Sequence, residues 1–402
     1  MTTVSALPTV TLKPGHVQPL WAGHPWVYAQ AIAAVRGGAR PGDEVAVVDP
    51  EGKFLGRGFY TPRSAIPVRL LSRRPDEPFD GAFFRRRLER AIHLRHTLHL
   101  PAPETSGYRL VHAEGDELPG LVIDRFADVA VLQTTTLGMH LRRGMIVEAL
   151  HQVLELRSVV DRTPAEAGRL EGFEPEPGVL RGPDEPPLLT FTERGLRYEL
   201  PPGLGQKTGF YFDQRPLRAR VEQLARGRRV LDAYCFVGSF AMAAARGGAA
   251  QVTAVDASAT ALETAAVLAR ANGLDDRIQF ESGDARDALA RAAADGGRDL
   301  VICDPPKLAP TRASRDEALV AYRKLATLAC RATAPGGLMV LCSCSAAVTS
   351  DALVRALALG AATANRTALV LERGFQGADH PAPAAFPEGV YLKSIIARID
   401  PR

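Results

Sequence analysis

The chain has 402 residues, enough for two or three domains, and its 46% hydrophobic content is that of an ordinary globular protein. No run approaches the roughly 18 apolar residues of a membrane span. The first residues lack the regions of a secretory signal, so a cytoplasmic location is expected. Five cysteines without zinc-binding spacing predict free thiols rather than metal sites. The net charge is +4, but the first 100 residues carry 14 Lys and Arg against 8 Asp and Glu, a mild indication of nucleic-acid binding.

Elements of two kinds are predicted in the first half of the chain. Residues 9–73 alternate apolar and polar positions between turn signals, which predicts a small β-barrel. A basic amphipathic helix is predicted over 83–100, followed by a β-meander over 108–136 and another helix around 139–156. The segment 172–187 holds five prolines and is expected to form a surface linker or insertion.

From about residue 190 strands and helices alternate, which predicts a parallel sheet. Four of the predicted strands end at an acidic residue: Asp232, Asp256, Asp284 and Asp304. Because ligands of open α/β sheets bind at the carboxyl ends of the strands, the four carboxylates are expected in one cleft. Asp256 suits the hydroxyls of a ribose and Asp284 an adenine amino group. Any one of them taken alone could instead cap a helix.

A tight turn, Cys235–Gly238, follows the first of these strands. Gly238 would let the backbone approach a ligand closely. The turn is not a GxGxxG motif, so the sequence argues against dinucleotide binding.

Two motifs indicate chemistry at the same cleft. Asp304-Pro305-Pro306-Lys307 and Ser343-Cys344-Ser345 each close an apolar stretch that reads as a buried strand. A carboxylate, a rigid turn and a thiol beside a cofactor indicate covalent catalysis on a flat ring. Cys342 and Cys303 are rivals to Cys344 as the nucleophile, and both are expected to be core thiols instead.

The whole chain resembles the PUA-domain-containing class I methyltransferases that modify cytosine C5 in 23S ribosomal RNA. The segments that carry the resemblance are Gly205–Arg215 (GQKTGFYFDQR), Asp304–Lys307 (DPPK), Ser343–Ser345 (SCS), Asp379–Pro381, Phe386–Glu388, Tyr391–Lys393, Gly23–Tyr28 and Leu118–Arg125. In the cofactor turn, Phe236-Val237-Gly238-Ser239 departs from the Tyr-Thr-Gly-Gly that is usual in the family.

The resemblance implies an α/β fold with three domains. Residues 191–402 would form a Rossmann-like class I methyltransferase domain with a mostly parallel seven-stranded sheet. Residues 1–74 would form a PUA-like β-barrel, and 75–190 a middle α+β domain. The implied cofactor is S-adenosylmethionine and the implied partner is 23S ribosomal RNA; a homodimer is one arrangement left open, and no membrane association is expected.

The resemblance also implies roles for individual residues. Cys344 would be the nucleophile that adds to C6 of the base. Asp304 would contact the base and is the candidate proton acceptor, while Lys307 would contact phosphate, base or thiolate. The residues expected to bind the cofactor are Asp232, Cys235, Phe236, Gly238, Asp256, Ala257, Asp284, Ala285, Asp304, Lys207, Thr208 and Phe210. Those expected to contact RNA are Lys13, His24, Trp26 and Arg69.

Two other functions stay open. Methylation of an exocyclic amino group uses Asn/Asp-Pro-Pro followed by an aromatic residue and needs no cysteine, so Lys307 and Cys344 disfavour it. A catalytically silent RNA-binding or ribosome-assembly factor could use the same fold, but the four strand-end acids and the cysteine disfavour that function.

Overall fold

The structure is a computed structural model that describes residues 7–204, 207–308 and 315–402. Gly205 and Gln206 of the GQKTGF segment therefore lie outside the described residues. The chain divides into two units by its internal contacts. Unit 1 contains the described parts of Met1–Gly195, Leu200–Phe212 and Ala378–Gly389, and unit 2 contains those of Leu196–Glu199, Asp213–Gly377 and Val390–Arg402.

Unit 1 begins with a six-stranded sheet in the order β2-β6-β5-β4-β1-β3. Its elements are β1 (Thr9–Leu12), α1 (Val17–Trp21), β2 (Trp26–Val27), β3 (Ile32–Arg36), β4 (Glu44–Val48), β5 (Phe54–Tyr60) and β6 (Val68–Ser72). Val10 and Leu12 of β1 and Val45 and Val47 of β4 are inaccessible to solvent, and the residues between them are partly exposed. Their alternation buries one face of the sheet, as the pattern of residues 9–73 predicted.

A five-stranded sheet in the order β11-β10-β9-β8-β7 and several helices complete the contiguous part of unit 1. Their bounds are α2 (Gly81–Thr97), β7 (Gly107–His112), β8 (Leu121–Phe126), β9 (Val129–Thr134), α3 (Leu137–Leu141), α4 (Arg143–Val153), β10 (Ser158–Asp161), α5 (Ala165–Glu171), β11 (Gly178–Arg181) and β12 (Leu189–Glu193). The helix predicted around 139–156 is thus two helices that meet at Arg142. The Pro-rich segment 172–187 contributes the edge strand β11, which pairs antiparallel with β10.

Asp80 caps the N-terminus of the basic helix α2, because its carboxylate accepts a hydrogen bond from the Phe83 amide at 2.8 Å. Its apolar face buries Phe83 and Leu88 in a core cluster that includes Phe59 of β5 and Leu71 of β6. The core around α2 therefore extends onto the six-stranded sheet.

A network of buried charges connects α2 to the separate segment Ala378–Gly389. The Arg95 side chain is fully buried and forms a two-pronged ion pair with Asp116. It also donates to the carbonyl oxygens of Arg109 and Asp379, at 2.8 Å each. Arg109 in turn pairs with the inaccessible carboxylate of Asp124. Each of these buried charges thus has a partner inside unit 1.

Unit 2 contains a seven-stranded sheet in the order β16-β15-β14-β17-β18-β20-β19. The division between the units falls in β13 (Leu196–Leu200). The elements of unit 2 that follow are α6 (Arg215–Leu224), β14 (Arg229–Ala233), α7 (Ser239–Arg246), β15 (Gln251–Asp256), α8 (Ala259–Ala271), β16 (Ile278–Ser282), α9 (Ala285–Ala294), β17 (Arg298–Cys303), α10 (Arg315–Ala332), β18 (Thr333–Ser343), α11 (Ser350–Thr363), β19 (Arg366–Phe375) and β20 (Lys393–Pro401). The strands from β16 to β18 are parallel, and β20 is antiparallel to both of its neighbours. This arrangement confirms the predicted mostly parallel sheet of seven strands.

The interior strands of this sheet consist of apolar runs. Leu300, Val301 and Ile302 of β17 are all inaccessible, because helices cover both faces of a doubly wound sheet. Within the described residues, no helix is both long enough and apolar enough to cross a membrane.

The buried network of unit 1 generates a stability prediction. We expect Arg95→Met to lower the free energy of unfolding by about 3–5 kcal/mol, because Asp116 would stay buried without its cation. Urea unfolding followed by tryptophan fluorescence measures this change, since both tryptophans belong to unit 1. Arg85→Met is the matched control on α2, since its exposed pair with Glu89 spans 3.8 Å and should contribute less than about 1 kcal/mol. Equal losses in the two variants would contradict a structural role for the network.

Candidate active site

The parallel strands of unit 2 bring three of the predicted acids together. Asp232 of β14 lies in register with Ala254 of β15 and with Ile302 of β17. Asp256 ends β15 and Asp304 follows β17, so both carboxylates lie at the same sheet edge as Asp232. The negative charges of Asp304 and Asp256 both raise the pKa of Asp232.

Asp232 is a fully buried carboxyl group. One of its oxygens accepts a hydrogen bond from the Ala241 amide of α7 at 3.0 Å, and the other has no partner among the described residues. Burial is the largest cause, and the neighbouring carboxylates the second, of a pKa raised to about 8. Burial and the neighbouring carboxylates thus favour the protonated form of Asp232 at neutral pH.

The turn between β14 and α7 has a strained backbone. Tyr234, Phe236 and Gly238 all have positive φ angles, of 68°, 51° and 71°. A Cβ atom at Gly238 would come within 3.0 Å of the Phe280 ring, so the position requires glycine for space as well as for conformation. Strained non-glycine residues of this kind cluster at ligand sites.

Asp256 holds this turn in place. Its two oxygens accept hydrogen bonds from the amide groups of Phe236, at 2.8 Å, and Ser258, at 2.9 Å. The carboxylate is partly exposed, and the following Ala257 is exposed. Each carboxylate oxygen can accept more than one hydrogen bond, so Asp256 retains capacity for ribose hydroxyls.

Asp284 caps a helix, which was the alternative that the sequence left open. Its side chain accepts a hydrogen bond from the Arg286 amide at the start of α9, where Ala285 is buried. The Arg286 guanidinium also pairs with it and lowers the pKa of Asp284 to about 2. The adenine contact expected of Asp284 stays a prediction.

Three residues expected to bind the cofactor belong to unit 1. Thr208 is buried and its hydroxyl donates to the Asp124 carboxylate. The Lys207 ammonium lies 5.1 Å from the centre of the Tyr211 ring, and Phe210 is buried among other phenylalanine rings. Cofactor binding by these residues stays a prediction.

The five cysteines lie in the described parts of the chain as free thiols, and they differ in exposure. Cys344 is half-buried, and the other four are buried. Burial raises the pKa of Cys235, Cys303 and Cys342, and that of Cys330 to about 12. Cys303 and Cys342 are therefore confirmed as core thiols, and the thiol best placed to react is that of Cys344.

The Asp304-Pro305-Pro306-Lys307 turn follows β17, next to β18 and its thiol. The Gln214 side chain donates from Nε2 to an oxygen of Asp304 at 3.0 Å. Sequence reasoning missed Gln214, although it lies in the conspicuous GQKTGFYFDQR segment. Lys307 is exposed, so it is not the buried cation that could influence the thiol most strongly.

That buried cation is Lys393, which opens β20 and is only 3% exposed. Its ammonium donates to the carbonyl oxygens of Ser345 at 2.6 Å and Tyr391 at 2.7 Å. The buried Tyr322 of α10 faces Ser343 and Ser345, the residues before and after the thiol. The sequence had singled out Lys393 only as part of the tail that carries the family resemblance.

The four residues expected to contact RNA make intramolecular contacts in unit 1. Lys13 is exposed and donates to the Gln30 carbonyl. The Trp26 indole donates to Glu114 at 2.7 Å, and the Arg69 guanidinium to Glu171 at 3.0 Å. His24 is buried and lies 3.4 Å from Glu388. Each of the four residues thus has a structural role in unit 1. Contact of these residues with RNA stays a prediction.

Unit 1 also contains a groove of about 500 Å³ beside α2, rich in arginine. Its charged lining residues are Arg73, Arg74, Arg86, Arg87, Arg90, Glu77, Glu114 and Glu117. Glu77 and Glu117 pair with arginines from α2, and Glu114 with Trp26. Arg73 donates to main-chain carbonyls, at 2.6 Å to Leu20, and pairs with no carboxylate among the described residues. The groove thus has an excess of positive charge.

Two known protein families match separate parts of the chain. Residues 10–73 match the PUA-like domain family, and residues 182–382 match the S-adenosylmethionine-dependent methyltransferase family. The second match covers half of the chain and agrees with a sheet whose strand-end acids and strained turn suit such a cofactor. The protein is an S-adenosylmethionine-dependent methyltransferase, as the sequence predicted.

The ribosomal RNA large subunit methyltransferase I of Shewanella denitrificans is 37% identical over 394 residues, which are 97% of this chain and 99% of that protein. The chain therefore belongs to the ribosomal RNA large subunit methyltransferase I family. Two solved structures share its fold with a TM-score of 0.83 and cover 97% of this chain and 99% of theirs. They are a putative SAM-dependent methyltransferase from Streptococcus mutans, 20% identical, and a putative methyltransferase complexed with SAH, 21% identical.

The raised pKa of Asp232 predicts a pH-dependent stability. The folded protein keeps this proton up to about pH 8, while the unfolded chain releases it near pH 4, so the group's contribution falls as pH rises between these values. Asp232→Asn keeps an acceptor for Ala241 and should raise the free energy of unfolding by roughly 1–3 kcal/mol at pH 8, with little change at pH 4. Melting temperatures of the cofactor-free proteins from pH 4 to 8 measure this divergence.

Asp284→Asn is the matched control, because the Arg286 ion pair lowers the pKa of Asp284 to about 2. Its stabilisation is present above about pH 4 and is lost as pH falls through about 2, so this variant should lose stability at neutral pH. A loss of the same sign in Asp232→Asn would show that Asp232 is ionised in the folded protein.

Proposed function

We propose that this protein methylates C5 of a cytosine in 23S ribosomal RNA, with Cys344 as a covalent nucleophile. The observation that carries the proposal is the half-buried thiol of Cys344, which follows β18 directly and neighbours the Asp304 turn. The relatives named as ribosomal RNA large subunit methyltransferases support an RNA substrate.

The chemistry requires a nucleophile because C5 of cytosine reacts poorly by itself. The Cys344 thiolate adds to C6, and the electrons of the C5–C6 double bond become available at C5. S-adenosylmethionine supplies the sulfonium methyl group that C5 takes, and is left as the neutral thioether. A base then accepts the C5 proton, the C6–S bond breaks, and the thiolate leaves as the C5–C6 double bond re-forms.

Asp304 is the proposed proton acceptor. It begins the rigid turn after β17, and β17 pairs in register with β18, whose end carries the thiol. The hydrogen bond from Gln214 orients its carboxylate. Lys307, exposed in the same turn, is proposed to contact a phosphate of the RNA.

The proposed cofactor site consists of the β14–α7 turn and the strand-end acids. The partly exposed carboxylate of Asp256 offers acceptors for the ribose hydroxyls of S-adenosylmethionine, and the carboxyl of Asp232, protonated at neutral pH, offers a donor. Phe236 and Gly238 would place backbone against the ligand, because their turn is already fixed by Asp256.

The proposed path for RNA phosphates in unit 1 is the arginine-lined groove. Its excess of guanidinium groups suits phosphate oxygens, which arginine binds with two parallel hydrogen bonds. The target cytosine has to be unstacked to reach a thiol at a sheet edge, so loop or single-stranded RNA is the favoured substrate.

Asp256→Ala is expected to weaken S-adenosylmethionine binding by roughly 1.5–3 kcal/mol, the range for hydrogen bonds to a charged group. Asp256→Asn should lose less, because an amide oxygen still accepts from Phe236. Isothermal titration calorimetry measures both. Asp275→Ala, at an exposed position paired loosely with Arg270 at 3.9 Å, is the control and should bind normally. Unchanged affinity in Asp256→Ala would remove Asp256 from the site.

Cys344→Ala is expected to abolish methylation and to leave cofactor affinity unchanged, because the thiol acts on the base. Cys342→Ala and Cys303→Ala are the controls, and each should retain turnover at a cost of about 1 kcal/mol in stability. RNA that contains 5-fluorocytosine should trap a covalent adduct, because fluorine takes the place of the proton that must leave C5. Peptide mapping of the adduct identifies the cysteine.

Three outcomes of these experiments would contradict the proposal. An adduct on Cys303 or Cys342, or turnover by Cys344→Ala, would mean that another thiol is the nucleophile. An active enzyme that forms no adduct would favour methylation of an exocyclic amino group instead.

A further inference from the structure

Lys393 lies at the end of the sheet where the thiol is presented. It is the first residue of β20 and pairs directly with Ser343, the last residue of β18, so it lies beside the residue that precedes Cys344. Its hydrogen bonds to the carbonyl oxygens of Ser345 and Tyr391 fix the position of the ammonium group. The bond to Ser345 also holds the chain on the C-terminal side of Cys344.

The surroundings of this ammonium group lack an anion. Among the described residues, which include every aspartate and glutamate of the chain, no carboxylate forms an ion pair with Lys393. An ammonium group has three donors, and the two carbonyls account for two of them. Burial lowers the pKa of Lys393 to about 8, and the charge of Cys344 is the influence that opposes this shift. A buried charge without a counter-ion is costly and is often found at functional sites.

Three other ionisable groups lie around the thiol, and none of them supplies positive charge. Burial raises the pKa of Tyr322, from α10, to about 12, and it also raises that of Cys342, from β18. Asp304, which follows β17, interacts with both of them as a negative charge. Lys393, from β20, is thus a buried cation at this sheet edge, and it can favour ionisation of Cys344.

We propose that Lys393 is the positioning residue that activates Cys344. Its ammonium group stabilises the thiolate before attack on C6 and again when the thiolate leaves, and it keeps its three protons throughout. The thiol proton goes to solvent. The hydrogen bond to the Ser345 carbonyl holds the turn that presents the sulfur. This inference rests on the proposed covalent function, and it assigns to Lys393 the effect on the thiolate that the sequence had offered to Lys307.

The test is the pH dependence of Cys344 alkylation in the full-length protein. Iodoacetamide reacts with the thiolate, and quantitative peptide mass spectrometry isolates Cys344 from the four buried thiols. In the wild-type protein the thiol should titrate below the roughly 8.5 of a free cysteine. In Lys393→Met its pKa should rise by at least about one unit, which is about a tenfold slower alkylation at pH 7. Lys393→Arg, which keeps the charge, should restore much of the wild-type profile.

Lys324→Met is the matched control, because it removes an exposed lysine from α10 and should leave the profile unchanged. Binding of S-adenosylhomocysteine checks that each variant is folded. If Lys393→Met does not fold, the wild-type profile still decides, since a Cys344 thiol that titrates at or above the free value overturns the inference.

The alkylation test and the 5-fluorocytosine test have distinguishable negative outcomes. An adduct on Cys344 together with the same alkylation profile in wild type and Lys393→Met would overturn the inference and leave the proposed function intact. An active enzyme without an adduct would overturn the proposed function, and the effect of Lys393 on the thiol would still be measured.

Discussion

Burial at the carboxyl edge of the seven-stranded sheet sets the charge state of the groups that the site depends on. Loss of solvent raises the pKa of Asp232, Cys235, Cys303 and Cys342, and it lowers the pKa of Lys393. Each shift disfavours the charged form of a buried group, because burial removes the solvent that would stabilise the charge. A ligand that enters this edge with its own charge therefore changes the protonation of groups that it touches.

The separate segments of unit 1 depend on a different use of buried charge. Arg95 and Arg109 are matched by Asp116 and Asp124, and the segment that contains Asp379 is tied in through its carbonyl and carboxylate oxygens. Paired charges of this kind specify which strands and loops belong together, because any other arrangement would leave a charge buried alone. In unit 1 the buried charges pair with one another and hold separate segments together, whereas in unit 2 the buried Lys393 has no carboxylate partner among the described residues.

The sequence predicted local features well and long-range features poorly. Apolar runs such as Leu300–Ile302 predict the parallel sheet, and the acids that end these runs predict the shared edge. Both features follow from the spacing of residues within one short segment, so the sequence alone suffices. Nothing local indicated that residues 378–389 belong to unit 1, since that depends on partners more than 250 positions away, as in the Arg109–Asp379 hydrogen bond. Gln214 and Lys393 were missed as site residues for the same reason: a buried amide or ammonium shows its role only through the side chain or carbonyl that it faces.

Cys342 and Cys344 differ in exposure because strand β18 ends between them. Alternation along a continuing strand would put both thiols on the same side, with the same surroundings. β18 ends at Ser343, so Cys342 stays in the ladder opposite Ser394 while Cys344 lies just beyond the strand and is free to depart from the pleat. The first thiol is enclosed by the sheet, and burial raises its pKa. The second is half-buried near an ammonium group that has no carboxylate partner among the described residues, and access together with a nearby positive charge suits the nucleophile that is proposed here.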